Sequence, residues 1–140
     1  MNKRIGIIGI LGILVLVIAV SGCTSSQNTT QTSPINVTNV TAGPGDFGMY
    51  TVTATITPNK NLNYLEMVAI WYDSSGAVIE TSNLLWNVND AQAGQVYKAK
   101  GEDSLYQKGT PAKVKIYFFD SVFSGGDTSK AIFVQTVTFK

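Results

Sequence analysis

An all-β domain, a two-sheet antiparallel sandwich, is expected behind an N-terminal apolar signal helix. Three observations lead there. From Ile35 onward apolar and polar residues alternate, most plainly from Met49 to Thr57, where Tyr50, Val52, Ala54 and Ile56 share one parity and Thr51, Thr53, Thr55 and Thr57 the other. Clusters of Gly, Pro, Asn, Asp and Ser interrupt that pattern at short intervals, as turns between strands do. No stretch of this part sustains a helical period, and Leu62 to Met67 is the one ambiguous piece.

Length and charge bound what such a domain can do. A chain of 140 residues holds a leader and one domain of ordinary size, large enough to bury a core of its own. Lys3 and Arg4 take two of the ten basic residues, so the part from Cys23 onward carries eight Lys against nine Asp and Glu, a balance of −1. That near-neutrality offers no electrostatic footprint for nucleic acid or for anionic headgroups. There is no His, which removes the commonest general base and metal ligand. One Cys permits no intrachain disulfide.

The leader comes first. Lys3 and Arg4 precede an apolar run from Ile5 to Val20, 16 residues long, which ends in Ser21-Gly22-Cys23. Charge, apolar core and small residues in that order are the pattern of a signal peptide. As a helix the run would rise about 24 Å, short of the ~30 Å hydrocarbon core, which favours cleavage over spanning. Val20-Ser21-Gly22-Cys23 resembles a lipobox, the signature of secreted lipoproteins. The resemblance implies cleavage before Cys23 and a thioether lipid on its sulfur, with the membrane as partner and residues 1–22 as signal peptide. Two acyl chains on that lipid suffice for stable anchoring, where one chain binds only marginally. An uncleaved signal anchor with an unmodified thiol is the alternative.

Residues 24–34 follow as a tether. Thr24 to Ser33 has neither an apolar side chain nor a charge, so nothing offsets the entropy of ordering it. Asn28-Thr29-Thr30, Asn36-Val37-Thr38 and Asn39-Val40-Thr41 fit the N-glycosylation acceptor pattern, making Asn28, Asn36 and Asn39 candidate sites. A region this rich in Asn and Thr also produces the pattern by composition alone.

The domain, residues 35–140, reads as about seven or eight strands. Ile35 to Ala42 ends at Gly43-Pro44-Gly45-Asp46, and Met49 to Thr57 ends at Pro58-Asn59-Lys60-Asn61. Asn63 to Asp73 is the longest run, turned by Asp73-Ser74-Ser75-Gly76 into Ala77 to Ser82. Asn83 to Val88, Gln95 to Lys100, Ala112 to Asp120 and Ala131 to Lys140 complete the series. That number of short strands in about 100 residues fits an immunoglobulin-like Greek-key sandwich, with a barrel as rival.

One hairpin carries a second resemblance. Ala69-Ile70-Trp71-Tyr72-Asp73-Ser74-Ser75-Gly76-Ala77-Val78-Ile79 is similar to the strand-turn-strand core of the FxLYD-type domain, an immunoglobulin-like sandwich of bacterial and archaeal surface lipoproteins. Tyr72, Asp73 and Gly76 match its Tyr-Asp-x-x-Gly, and Ala93-Gly94 with Tyr97 resembles its later Gly-then-aromatic strand. Ala69 stands where that pattern has Phe, and Trp71 where it has Leu. The resemblance implies architecture and a surface location; it implies no activity.

Residues that could do chemistry are few. Without His there is no Ser-His nucleophile, and no motif places a Lys beside a Ser for a dyad. Asp46, Asp73, Asp90, Asp120 and Asp127 fall at expected turns, where Asp accepts backbone hydrogen bonds. Asn87 to Asp90 and Asp120 to Asp127 are the two loop clusters that could offer oxygens to calcium, but neither has EF-hand spacing, so no metal and no cofactor is expected. Trp71 shares its parity with Leu65, Met67 and Ala69 and reads as core. The opposite parity, Tyr64, Val68, Ile70 and Tyr72, is apolar enough that a loop must cover it or a partner must dock there. Trp86 borders a polar loop, and Tyr106, Tyr117 and Phe119 add to the aromatic inventory.

The expectation is a non-enzymatic, lipid-anchored extracellular β-sandwich that mediates binding or assembly at the cell surface, with Tyr72, Trp86 and Tyr117 as its candidate surface. An unknown surface protein or glycan is its partner. The alternatives are a carbohydrate-binding module, which needs those aromatics coplanar and exposed, and a structural spacer of the envelope.

Overall fold

Alternation of β-branched and aromatic residues with polar ones does produce strands, because each residue type fits a pleated surface buried on one side. The computed structural model describes residues 33–140. The expected signal helix, Val20, Ser21, Gly22, Cys23 and Asn28 lie outside the described residues. Seven strands follow: β1 (Ile35–Pro44), β2 (Met49–Pro58), β3 (Leu62–Tyr72), β4 (Val78–Ala91), β5 (Tyr97–Ser104), β6 (Lys113–Phe119) and β7 (Phe133–Thr138). They form two antiparallel sheets, ordered β1-β2-β5 and β4-β3-β6-β7.

Between the sheets lies the core. Val52, Ala54 and Ile56 of β2 face Leu65, Met67, Ala69 and Trp71 of β3 and Val114, Ile116 and Phe118 of β6, all buried. Full burial of a side chain such as Ile56 or Phe118 contributes about 1.5–3 kcal/mol. The threonines of β2 take the outer side of their sheet, opposite Lys98, Lys100 and Glu102 of β5. Thr41 and Thr53 add a hydroxyl–hydroxyl bond of 2.6 Å across the β1–β2 pair.

Ala77 to Ser82 and Asn83 to Val88, expected as separate runs, belong to one 14-residue strand, β4. Met67 pairs Trp86 while Ala69 pairs Ser82, so a bulge around Asn83–Leu85 absorbs two extra residues. Two extra residues leave the parity on either side of the bulge unchanged, but they interrupt the alternation across Asn83–Leu85, which makes a continuous strand read as two.

The same bulge brings β4 against the other sheet. Backbone and Cβ of Leu85 press on Gly101 of β5, where an added Cβ would stand 2.7 Å from the Leu85 carbonyl oxygen and 2.8 Å from its Cβ. Only a residue without a side chain admits this approach. Gly101→Ala is therefore expected to destabilise the domain by about 2 kcal/mol, in the range of overpacked cores. A lower urea midpoint at unchanged slope measures it; an unchanged midpoint would show that β4 yields freely.

Strand direction gives the sandwich two distinct ends. At the near end Asn59 bonds through its N–H to the Pro34 carbonyl (2.8 Å) and through Nδ2 to the Ser33 carbonyl (2.9 Å), so the incoming chain is tied to the β2–β3 turn. At the far end, about 30 Å along a ten-residue strand such as β1, the β1–β2 turn meets the β5–β6 loop: Leu105 N–H donates to the Gly48 carbonyl at 2.9 Å.

Candidate functional site

The inner face of β3 is fully occupied and its outer face only in part, and this decides which surfaces are free. Its inner parity fills the core. On its outer parity Val68 is buried together with Tyr117 and Phe119 of β6, under Phe123 from the β6–β7 connection. Phe119 stacks on Phe123 at 4.9 Å and on Tyr117 at 6.3 Å between ring centroids. The apolar outer parity is thus covered by a loop over its near half.

A buried carboxylate holds that loop down. Glu66, only 1% exposed, accepts the Tyr64 hydroxyl at 2.6 Å on Oε2 and the Phe123 backbone N–H on Oε1. Burial, with the Glu66 carboxylate beside it, raises the Tyr64 hydroxyl above its ordinary value. Glu66 is invisible to pattern reading because a lone Glu on a strand normally faces water; the sole hint was its position between Leu65 and Met67 in an apolar run.

The other half of the outer face is open. Tyr72 lies half-buried there, with Lys113 Nζ 5.2 Å and Lys115 Nζ 5.7 Å from its ring centroid. Burial raises the Tyr72 hydroxyl above its ordinary value, and neighbouring Tyr117 adds to the shift. Tyr72 and Tyr117 therefore share one face, but Tyr117 is 6% exposed. Trp86 belongs to the opposite side of the sheet: it pairs with inward-facing Met67, packs against the core and meets Tyr97 edge-on at 6.3 Å. Tyr72, Trp86 and Tyr117 do not form one exposed strip.

The exposed aromatics stand elsewhere. Phe47 is 94% exposed and Tyr106 65% exposed, on the two loops that meet at the far end. Phe47 adopts the left-handed conformation (φ 55°, ψ 33°) within the short 3-10 turn Asp46–Gly48, a region that bulky residues rarely enter. Gly48 at φ +73° lies so close to Tyr106 that a Cβ there would come 3.2 Å from the Tyr106 Cα. Beneath them Trp71 stacks on Phe139 at 6.0 Å and meets the edge of Tyr50 at 5.4 Å. Sequence reading noted Tyr106 and passed over Phe47, although an aromatic between Gly45-Asp46 and Gly48 is out of place in a turn.

The acceptor asparagines that the structure describes are both exposed. Asn36 stands opposite Thr57 on β1, and Asn39 takes φ 52° at the β1 bulge. A left-handed bulge position favours Asn on conformational grounds alone. The acidic loops have local partners: Asp73 Oδ1 accepts from Ser75 N–H, Ser75 Oγ and Ala77 N–H, and Asp127 Oδ1 from Ser129 N–H and Oγ. These bonds, the Ser75 and Ser129 side chains foremost, hold both carboxyls below their usual range. Among the described residues no three His, Cys, Asp or Glu side chains converge as a metal ion requires. A broad open depression of about 840 Å³ at the near end is lined by Ser33, Asn59, Lys60, Lys130 and Ile132, with the Ser33 hydroxyl donating to the Ile132 carbonyl at 3.2 Å.

No protein-family model matches the chain, and no curated protein does. Among solved structures, a DUF1425 family member from Shewanella sp. pv-4 is similar at 19% identity and TM-score 0.46, over 64% of this chain and 81% of that one. Two β-glucosidases are similar over a small part of their length. The GH3 enzyme of Bifidobacterium adolescentis matches at 12% identity and TM-score 0.44, over 74% of this chain and 17% of its own. β-Glucosidase 3B of Thermotoga neapolitana, in complex with glucose, matches at 7% identity and TM-score 0.46, over 76% of this chain and 16% of its own. At this level none of the three informs the chemistry of the present chain.

Glu66→Ala leaves the Phe123 N–H without its acceptor, which is expected to cost about 1–3 kcal/mol and to loosen the connection over Val68 and Tyr117. Hydrogen exchange at the Phe123 amide should rise while amides of β2 stay protected, and Glu66→Gln, which retains an acceptor, should recover most of the protection. Unaltered exchange in Glu66→Ala would mean that Phe123 packing alone seats the loop.

Proposed function

We propose that the chain is a lipid-anchored, non-catalytic module of the cell surface, an immunoglobulin-like sandwich that mediates binding or assembly with a surface protein or glycan. The observation that carries this reading is the placement of its exposed aromatics. Phe47 and Tyr106 stand at the far end, whereas the chain comes into the sandwich at Ser33, at the near end. Joined through residues 24–34 to a lipidated Cys23, such a domain offers its far end to its surroundings. The lipobox-like Val20-Ser21-Gly22-Cys23 supports the anchor. The order β1-β2-β5 against β4-β3-β6-β7 supports the immunoglobulin-like description. The Tyr72-Asp73-Ser74-Ser75-Gly76 turn supports kinship with FxLYD-type domains. Asn28, Asn36 and Asn39 are part of the proposal as glycan acceptors. A structural spacer is the second reading, favoured by the polar threonine face of the β1-β2-β5 sheet.

Cys23→Ser is expected to release the protein from the membrane fraction and to abolish the lipid mass increment on the N-terminal peptide. A variant still membrane-bound, with Met1 present by mass spectrometry, would establish the uncleaved anchor instead. The far end has its own test. Crosslinking on intact cells should give the wild-type protein a discrete adduct that Phe47→Ser/Tyr106→Ser loses while its thermal midpoint holds. Identical patterns from the two proteins, or no adduct from either, would favour the spacer.

A further inference from the structure

On the open half of the outer face of the β4-β3-β6-β7 sheet, two ammonium groups converge on one aromatic ring without a counter-charge. Lys113 and Lys115 sit two residues apart on β6, opposite Tyr72 and Ile70 of β3 and Thr138 and Thr136 of β7. Both Nζ atoms lie over the Tyr72 ring, 5.2 and 5.7 Å from its centroid. The ion pairs among the described residues are Lys100–Glu102 and Lys108–Glu80, so neither of these lysines has a carboxylate within 4.0 Å. The one carboxylate that strand registers place on this face, Glu66, is buried at its other half beneath Phe123. A cation–ring contact at an exposed site is weak, and the ring does not neutralise two like charges held side by side.

We propose that this half-face binds an acidic polysaccharide, with a uronate-type carboxylate seated between Lys113 and Lys115 and the sugar hydroxyls meeting the Tyr72, Thr136 and Thr138 hydroxyls. Charge complementarity selects an anion. The hydroxyls of Tyr72, Thr136 and Thr138 select a polyol over an acidic peptide; a peptide added along β7, the edge strand of this sheet, is the alternative that polyglutamate tests. Two lysines are too small a footprint for nucleic acid. The proposal rests on the binding role proposed above and names a glycan class for it, but the site lies on a sheet face rather than on the far-end loops that carry Phe47 and Tyr106 and requires no lipid anchor, so either can fail without the other.

The molecule contains its own control. Lys98 and Lys100 have the same two-residue spacing on the outer face of the other sheet, but they stand opposite Thr55 and Thr53 and Lys100 is paired with Glu102. The full chain in non-ionic detergent is run in affinity electrophoresis against polygalacturonate, with neutral dextran alongside. Polygalacturonate should retard it and dextran should not. Lys113→Gln/Lys115→Gln should weaken retardation about tenfold, the equivalent of one charge-assisted hydrogen bond lost. Tyr72→Ala should weaken it too, whereas Lys98→Gln/Lys100→Gln, with the same change of net charge, and Phe47→Ser/Tyr106→Ser should leave it unaltered. Lys113→Arg/Lys115→Arg, which keeps charge and bulk, should retain binding and covers the case of a glutamine variant that folds poorly. Equal loss in Lys98→Gln/Lys100→Gln, equally tight binding of polyglutamate, or no retardation of the wild type would each overturn the proposal.

Discussion

A buried indole must find an acceptor for its N–H, and the way Trp71 does so organises the far end of the sandwich. Trp71 is fully buried on β3, and its Nε1–H donates to Asp103 Oδ2 on β5, in the opposite sheet, at 2.6 Å. Left unpaired in that setting, the indole N–H would lose free energy on folding. The bond therefore fixes the separation and register of the two sheets where they would otherwise be free to slide. Two residues beyond Asp103, Leu105 N–H closes on the Gly48 carbonyl, which seats the turn that carries Phe47 and brings Tyr106 beside it. Tyr50 from β2 of the opposite sheet and Phe139 from the C-terminal segment pack the same indole. The exposed tip thus stands on a rigid base rather than on loose loops.

A second constraint acts on the other side of β3. A central strand with apolar residues on both parities cannot leave one face in water, and here the β6–β7 connection supplies the cover through Phe123. That connection needs a polar tie as well as an apolar one, since its backbone crosses a buried surface where an unpaired N–H is costly. Glu66 supplies it. The cover stops halfway along the strand, and beyond it lysine stems and the Tyr72 ring take over the apolar surface while their charged heads stay in solvent. Both candidate surfaces follow from these two constraints: the tip from the Trp71 clamp, the lysine-flanked face from the limited reach of the loop.

Much of this was legible in the residues and some was not. The alternation in β2 assigned Val52, Ala54 and Ile56 to the core and the threonines to solvent, because a period of two leaves no other choice. The parity of Leu65, Met67, Ala69 and Trp71 did the same for β3. Asn83 to Val88 reads as a separate run because the bulge around Asn83–Leu85 interrupts the alternation without ending the strand, and nothing local marks it. Tyr72, Trp86 and Tyr117 come apart because pairing between strands, not sequence spacing, assigns their faces. Parity places Trp86 relative to its own neighbours only, and the face it takes is fixed by its pairing with inward-facing Met67 of β3.

Local chemistry in the chain was enough for the all-β class, for most of the turns and for a buried Trp71, and it is what suggests the leader with its lipobox-like end. Each of these depends on residues close in sequence, where propensity and periodicity act directly. Pairing across the sandwich settled the rest: Trp71 with Asp103, 32 residues on; Glu66 with Phe123, 57 residues on; Gly101 under Leu85; and Phe47 beside the Tyr106 loop. Such contacts form only once the sheets have closed, since each joins groups whose separation along the chain carries no pattern for a periodic reading to detect.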